Sequence, residues 1–509
     1  MTEMNKVRAI ARKLKEREIN LNRLEWTQYT TGFDFGVSRA QREYLAVLKD
    51  RDNYRAVLRL RDSAFGPKDR RRAEILYRIF QPYHLSPKLN RLDERIREKT
   101  LELSKLLNRF RFRVDGREVR STQISQILRS HPDRKIRKKA FLSRAQINRP
   151  LVEAGFLDLI SMRREFASLY GAKDFVAYRL ERDELSEKIF QGWPQQAARL
   201  RPARERINRE LGGRYLRDEK VMPWDTAYLG YRMAPELDTP VNMANFYEPL
   251  RKFFLLMGFD LDGYAITYDI FPRRHKSEWG YNFTIEEGRD SRVLANLEGR
   301  FHELGVLLHE TGHALHSFLL DPGEIILNLG VSGIISEGLA NLFGDLQYHP
   351  RFYGYFLKGS PKKAGDNLHR LRSFQKANAF AAMCGILFDQ ELYRQPLKSL
   401  DDINHLYWQV HRLILDEGPY APEPTWGFRI HHTTHPIYLH NYFLGDLTNQ
   451  MLKKTFSHRF RVNDPLKRPR QFGDFIYNQV IKPSGLYPFL DLFERISGRA
   501  FSLEYLEDR

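Results

Sequence analysis

His309 and His313 are the residues whose type and spacing indicate chemistry most directly, because they flank Glu310 in a His-Glu-x-x-His pentad. On an α-helix, residues four apart lie on one face, so both imidazoles can bind the same metal ion. Glu310 lies beside them, where its carboxylate can act on water bound to that ion. The pentad therefore predicts a catalytic zinc site with one Zn²⁺ per chain.

The segment that carries the pentad, residues 301–320, predicts a single helix. Apolar residues recur with helical spacing on both sides of the pentad, and Pro322 and Gly323 end the pattern. A random chain with 16 His and 64 acidic residues would carry the pentad only roughly 0.03 times. We therefore interpret it as a functional motif rather than a surface helix with incidental histidines.

A catalytic zinc ion usually has three protein ligands and an open position for water, so a third ligand must come from elsewhere in the chain. Glu337, 24 residues after His313, precedes a second apolar helical pattern that can fold back against the first. No histidine occurs at positions 317–348, which favours a glutamate ligand. Asn341, one turn later, is a candidate for holding the outer N–H of a zinc-bound histidine, with Asp345 as the alternative.

The sequence around the pentad resembles a known family of zinc peptidases. Residues 292–297 followed by 307–316 look like the strand-then-zinc-helix block of the thimet oligopeptidase and oligoendopeptidase F family. The spacing to Glu337 also resembles the related angiotensin-converting-enzyme group, and residues 164–175 resemble a helical stretch of both groups. The resemblance covers roughly residues 120–460 and implies a gluzincin-type metallopeptidase.

The resemblance also implies a fold. The expected protein is mainly α, with two helical halves enclosing a deep substrate channel and a small β-sheet beside the zinc-binding helix. The hydrophobic periodicity agrees with this fold. Long amphipathic stretches occur at residues 5–60, 92–107, 124–170 and 366–393. We predict an N-terminal helical half at residues 1–214 and a catalytic half at residues 215–509, or one continuous catalytic domain.

The small sheet is predicted within residues 268–297. Two β-prone runs, residues 281–285 and 292–297, are separated by a turn-like stretch at residues 287–290. The resemblance implies that the last strand lines the cleft and that an extended peptide pairs with its free edge through main-chain hydrogen bonds. The alternative is a structural hairpin that binds no ligand.

A second group of chemically active side chains, His and Tyr, lies at residues 431–442 and precedes an apolar helical run. Peptide hydrolysis needs a hydrogen-bond donor for the oxyanion, which a phenol or an imidazole can provide. The resembling families carry a His followed by such tyrosines. We therefore predict Tyr442 as the oxyanion donor and His432 as a donor to substrate or transition state. Gly445 stands where that pattern has a further Tyr. The remaining candidates are His431, His435 and Tyr438, and the alternative is a hydrogen-bonded helix start.

The predicted function is a zinc metalloendopeptidase that hydrolyses peptide bonds in short oligopeptides, with Glu310 moving the proton from water to the leaving amine. Two alternatives stay open. The first is a metal-dependent carboxypeptidase or dipeptidyl carboxypeptidase, which, unlike an endopeptidase, binds the terminal carboxylate of the substrate. The second is an inactive basic binding protein, although a complete pentad argues against it.

The chain is basic, with 83 Lys and Arg against 64 Asp and Glu and a net charge of +19. Its basic runs at residues 68–72, 134–139 and 467–470 are scattered, and we interpret them as solvated helix faces. We predict no nucleic-acid partner and no membrane partner. The positive field predicts acidic peptides among the short peptide substrates. A monomer and a homodimer are both compatible with the sequence.

The chain carries a single cysteine, Cys384, which excludes an intrachain disulfide and is typical of a reducing compartment. Its apolar neighbours predict a buried thiol. Residues 1–8 are charged and lack the apolar core of a secretory signal, and no run of 18 apolar residues occurs. We therefore predict a cytoplasmic location.

Overall fold

The computed structural model describes residues 3–64, 66–277 and 281–507, and α-helices dominate it. Several helices begin at a side chain that accepts hydrogen bonds from their first backbone N–H groups. Asp50 accepts from the N–H groups of Asp52 and Asn53, and Ser86 accepts from that of Leu89. The prediction of a mainly α fold is confirmed.

The first half of the chain consists of twelve helices and one hairpin among the described residues. Their bounds are α1 Glu3–Thr31, α2 Val37–Lys49, α3 Arg51–Ser63, α4 Pro67–Phe80, α5 Pro87–Arg109, β1 Phe112–Val114, β2 Arg117–Val119, α6 Ser121–Ser130, α7 Arg134–Leu142, α8 Asn148–Glu153, α9 Phe156–Tyr170, α10 Phe175–Arg182, α11 Trp193–Leu216 and α12 Thr226–Met233.

The second half carries the predicted sheet and a further series of helices. Their bounds are α13 Tyr247–Leu256, β3 Ile266–Asp269, β4 Tyr281–Glu286, β5 Asp290–Leu294, α14 Glu303–Phe318, α15 Ile325–Asn328, α16 Gly333–Gly344, α17 Pro350–Tyr353, α18 Pro361–Ala379, α19 Ala382–Glu391, α20 Leu400–Leu415, α21 His431–Thr434, α22 His440–Phe460, α23 Pro469–Ile476 and α24 Phe489–Ser497. None of the helices in the described residues combines the length and the apolar character needed to cross a membrane.

The chain divides into two compact units, and each is built from separate segments. The first unit comprises Met1–Leu85, Asp238–Pro361 and Leu444–Tyr505, and the second comprises Ser86–Leu237, Lys362–Phe443 and Leu506–Arg509. The division into residues 1–214 and 215–509 stays a prediction about domain organisation; its boundary falls inside α11.

The first unit has a core formed by the four N-terminal helices and α15. Leu14, Val57, Leu76 and Phe80 are almost fully buried there, and Leu327 of α15 packs into the same cluster. The apolar faces of these amphipathic helices meet, which removes their hydrophobic side chains from water. Residues far apart in sequence are thereby held together in one cluster.

The second unit has an aromatic core. The rings of Phe156 and Trp426 lie 5.2 Å apart, and Phe388 lies 6.4 Å from the same tryptophan. The indole N–H of Trp426 donates to Oδ1 of Asn404 at 2.9 Å, so the buried polar group is satisfied. These contacts join helices α9, α19 and α20 within the unit.

Two arginines of the basic run at residues 134–139 have a structural role in the second unit. Asp225 is fully buried, and its carboxylate accepts from Arg137 at 2.9 Å and from Arg134 at 2.7 Å. Our interpretation of this run as a solvated helix face is therefore wrong for Arg137, whose side chain is 1% exposed. Both arginines compensate the buried charge of Asp225, which would be costly to bury unpaired.

The predicted sheet has three strands in the order β3-β5-β4. β5 pairs in parallel with β3 and antiparallel with β4. The hairpin β4–β5 matches the predicted strand-turn-strand pattern, whereas β3 was not predicted. The expectation that the strand at residues 292–297 offers a free edge to a peptide is wrong: β5 is the central strand, so over Asp290–Leu294 both of its edges are occupied.

Candidate metal centre

The pentad lies on α14, whose first residue, Glu303, binds the preceding loop. Oε2 of Glu303 accepts hydrogen bonds from the backbone N–H groups of three preceding residues at 2.8–3.0 Å. The carboxylate also lies at the positive end of the helix dipole, which stabilises it further. Within α14 the rings of His309 and His313 meet edge to face, with centroids 4.8 Å apart, as the spacing of four residues predicts.

α16 brings Glu337 to the two histidines. Its carboxylate oxygens lie 3.7 Å from Nε2 of His309 and 3.8 Å from Nε2 of His313. The three donor atoms all lie within 4.8 Å of one another, and this is the one group of three or more His, Cys, Asp or Glu donors found among the described residues. Donors on a tetrahedral zinc ion are separated by about 3.4 Å, given metal–ligand distances near 2.1 Å. The donor set therefore fits a divalent metal ion in both chemistry and spacing.

Gly312, inside the pentad, allows α14 and α16 to approach this closely. A Cβ atom at this position would lie 2.9 Å from Cα of Ala340 and 2.9 Å from the ring of Phe343. Such a contact is shorter than real side chains tolerate, so any larger residue would push the helices apart. The glycine thus helps to place Glu337 beside the histidines.

Each candidate histidine ligand has a polar partner on α16. Nδ1 of His313 lies 2.9 Å from Oγ of Ser336. The ring of His309 is hydrogen-bonded to the side chain of Asn341, which in turn donates to Asp446 at 3.0 Å. The expectation for Asn341 agrees with this contact. Its alternative, Asp345, instead accepts from Asn449 and Lys453. Ser336 was missed, although it directly precedes Glu337.

Burial sets the protonation of the site. It lowers the pKa of His309 to about 4 and that of His313 to about 3, so both rings are neutral near pH 7. Neutral imidazoles are the form that binds a metal ion. Burial raises the pKa of Glu310 to about 7, with a further contribution from the charge of Glu337, while a hydrogen bond from the backbone N–H of Asn282 opposes the shift.

The sequence profile of peptidase family M3 matches residues 127–254 and 264–509, which together cover most of the chain and include the whole site just described. The chain belongs to peptidase family M3. It is therefore a metallopeptidase that acts on peptides with a divalent metal ion. The resemblance noted in the sequence is confirmed at the level of this family.

Solved structures confirm the fold. A carboxypeptidase of Pyrococcus furiosus, described as apo-Mg, aligns with a TM-score of 0.65 and 15% identity over 99% of this chain and 97% of that chain. The M32 carboxypeptidase of Deinococcus radiodurans R1 aligns with a TM-score of 0.63 and 13% identity over 99% and 97%. A protein described as CHT aligns with a TM-score of 0.67 and 14% identity over 99% and 98%. No curated protein matches the sequence.

The histidine and tyrosine cluster of this M3 peptidase, residues 431–442, belongs to the second unit. The ring of Tyr442 lies 5.4 Å from that of Tyr438 and 5.9 Å from that of His431. Tyr442 is 45% exposed, and His435 is also exposed, with its Nδ1 2.7 Å from Oγ1 of Thr434. His432 differs from the others because it is only 2% exposed, and its Nδ1 lies 3.0 Å from Oδ1 of Asp389.

Close packing explains why a glycine stands at position 445, where the resembling families have a tyrosine. A Cβ atom at this position would lie 2.9 Å from Cβ of Glu337, within the first unit. A tyrosine there would displace the carboxylate that lies beside His309 and His313. The absence of a side chain at Gly445 therefore allows α22 to pack closely against α16.

Proposed function

We propose that the chain is a zinc-dependent oligopeptidase in which His309, His313 and Glu337 hold one Zn²⁺. The observation that carries the proposal is the convergence of these three side chains, with donor atoms within 4.8 Å of one another. Two neutral imidazoles and one carboxylate are a ligand set typical of catalytic zinc, which keeps an open position for water.

A bound zinc ion supplies Lewis acidity, which polarises the scissile carbonyl and acidifies water. Glu310, next to a ligand and largely buried, accepts the proton of the attacking water at its carboxylate and returns it to the leaving amine. The hydrogen bond from Asn282 fixes the orientation of that carboxylate. From the sequence pattern we further propose that Tyr442 donates to the developing oxyanion and that His432 and Tyr438 support it.

The decisive experiment measures metal content and peptide cleavage together. The purified protein is stripped with a chelator, and an internally quenched peptide of about ten residues is offered before and after addition of zinc. We expect turnover to be absent without metal and to recover with one equivalent of Zn²⁺ per chain. Full binding of zinc without any turnover would instead favour an inactive binding protein.

A carboxypeptidase is the second candidate, because two of the structures that share this fold are carboxypeptidases. The same quenched peptide with a C-terminal amide separates the two modes. An endopeptidase cleaves both forms at the same internal bond. A carboxypeptidase or dipeptidyl carboxypeptidase loses activity on the amidated peptide, because it must bind a free terminal carboxylate. Mass spectrometry of the products from the free peptide then shows whether one or two residues are released.

The net charge of +19 supports a preference for acidic peptides. Attraction between exposed charges is screened as ionic strength rises. The Michaelis constant for an acidic peptide should therefore increase between 0.05 and 0.5 M salt, whereas that of a neutral peptide of equal length stays constant. Equal behaviour of both peptides would refute the preference.

A further inference from the structure

Asp389 of α19 is a buried carboxylate with two partners on one short segment of the second unit. It is 1% exposed. Its Oδ1 lies 3.0 Å from Nδ1 of His432, and its Oδ2 accepts the backbone N–H of Ile437 at 2.6 Å. The carboxylate thus contacts both ends of residues 432–437, which carry part of the histidine and tyrosine cluster.

Ile437 has a backbone conformation that needs such support. Its φ angle is +56°, in the left-handed region that branched side chains avoid. Of the non-glycine residues with positive φ in the described chain, it alone is β-branched. It is also 2% exposed, so the strained residue is fixed in the core rather than in a loose loop. Strain of this kind persists only where surrounding contacts impose it.

Arg163 of α9 holds the same segment from another side. It is 3% exposed, and its guanidinium donates to the carbonyl oxygen of Thr433 at 2.7 Å and to the hydroxyl of Tyr393 at 2.9 Å. Two buried charges from two helices therefore bind residues 432–437. Burying charged groups is costly unless their hydrogen bonds are made, so this arrangement restrains the segment strongly.

The restrained segment leads directly into half-buried Tyr438 and exposed Tyr442. Tyr438 follows Ile437, and its carbonyl oxygen accepts the backbone N–H of Asn441 at 2.9 Å at the start of α22. Tyr442 projects one turn further on, 45% exposed. The direction of both phenols therefore depends on the backbone of Ile437, and that backbone is held by Asp389.

We propose that Asp389 is a positioning residue for peptide hydrolysis. Its carboxylate accepts a hydrogen bond from Nδ1–H of His432 and holds Ile437 in the left-handed conformation, which fixes the direction of Tyr438 and Tyr442. The inference rests on the proposed function, since it assigns the cluster to the peptidase reaction.

The Asp389→Asn variant tests this role, because it keeps the size of the side chain and removes its charge. Loss of one oxyanion donor typically lowers kcat about 100- to 1,000-fold. Misdirection of such a donor should lower kcat about 10- to 100-fold, with a smaller change in KM and unchanged zinc content. The ¹⁵N signal of His432 Nδ1 should also change, because the charged acceptor beside it is lost.

Asp225→Asn is the matched control, because Asp225 is also a buried aspartate of the second unit, but its partners are Arg134, Arg137 and the backbone N–H of Met222. It should lower the unfolding temperature and leave kcat unchanged below that temperature. If Asp389→Asn behaves in the same way, or if its kcat is within about twofold of the wild type, Asp389 has only a structural role and the proposal is refuted.

Ile437→Gly tests the link through the backbone. Glycine adopts positive φ without strain, so it needs the carboxylate less. Asp389→Asn should therefore lower kcat less in the Ile437→Gly protein than in the wild type, a coupling that a double-mutant cycle measures. Equal losses in both backgrounds would rule out the backbone route.

Two results separate this inference from the proposed function. A wild-type protein that binds zinc and cleaves no peptide would refute the proposed function, and with it the catalytic part of the inference. An active wild type with an active Asp389→Asn variant would refute the inference alone. Should Asp389→Asn fail to fold, His432→Gln, which keeps the contact between Asp389 and Ile437, takes its place and must lower kcat.

Discussion

Ser336 and His313 are joined by a hydrogen bond between the serine Oγ and Nδ1 of the imidazole, 2.9 Å apart. The next residue of α16, Glu337, meets the opposite side of the ring, with Oε1 3.8 Å from Nε2. Two consecutive residues therefore contact both nitrogens of one ring. When Nδ1–H is donated to the serine, Nε2 carries the lone pair that a metal ion needs.

Replacing Ser336 with Ala should weaken metal binding without removing a ligand. The ring of His313 loses the partner that fixes its tautomer and orientation, and losses of this kind lower metal affinity about 10- to 100-fold. Competition with a chelator of known affinity measures the zinc dissociation constant. Ser332→Ala is the control, because this serine at the start of the same helix makes no capping hydrogen bond. Equal affinities of the two variants would exclude the orienting role.

Replacing Glu310 with Gln should abolish most turnover while zinc remains bound. Glutamine has the same shape but cannot accept the proton of water, and loss of a general base costs about 100- to 10,000-fold in rate. Zinc content by metal analysis and kcat on the quenched peptide are measured on the same sample. A variant with near-normal kcat would show that Glu310 is not the proton acceptor.

Replacing Glu337 with Ala should lower the amount of bound zinc, in contrast to the Glu310 variant, because it removes a proposed metal ligand. Zinc content after dialysis should fall well below one equivalent, and activity should recover in part at high zinc concentration. Glu324→Ala serves as the control: this carboxylate pairs with Lys68 and Arg72 in the same unit. Full zinc content in Glu337→Ala would remove Glu337 from the ligand set.

The convergence of His309, His313 and Glu337 was largely predictable because its determinants are local. The spacing of His309 and His313 is a property of one helix, and the search for a third ligand needed only a suitable carboxylate at the start of the next helical pattern. Glu337 fits both conditions. The structure then places its carboxylate 3.7 Å from Nε2 of His309.

Contacts between distant segments were not predictable in the same way. The periodicity of residues 281–297 identifies two strands but does not specify which strand pairs with which, so the central position of β5 was missed. Asn282 donates to Glu310 through its backbone, which carries no sequence signal. Asp389 lies 43 residues from His432, and nothing in the sequence connects the two.

Cys384 should be inert towards thiol reagents in the folded protein. It is buried, and burial raises the pKa of its thiol to about 12, although the nearby Arg204 opposes the shift. Only the thiolate reacts readily, so almost none is available near pH 8. Mass spectrometry after iodoacetamide treatment should show no adduct in native protein and one adduct in denaturant. An adduct on native protein, with activity and folding intact, would contradict the burial of this side chain.

His440 should make the second unit sensitive to acid. The ring is 1% exposed, its Nε2 has no hydrogen-bond partner within the part of the chain that the structure describes, and burial lowers its pKa from 6.5 to about 3. The unfolded chain therefore binds this proton more readily than the folded chain. The free energy of unfolding is unaffected by this group above pH 6.5 and decreases as the pH falls from 6.5 towards 3. Between pH 7 and pH 5 the decrease is about 2 kcal/mol. In His440→Phe this loss should disappear. Urea unfolding at both pH values measures the difference, and parallel losses in variant and wild type would show that His440 is not its source.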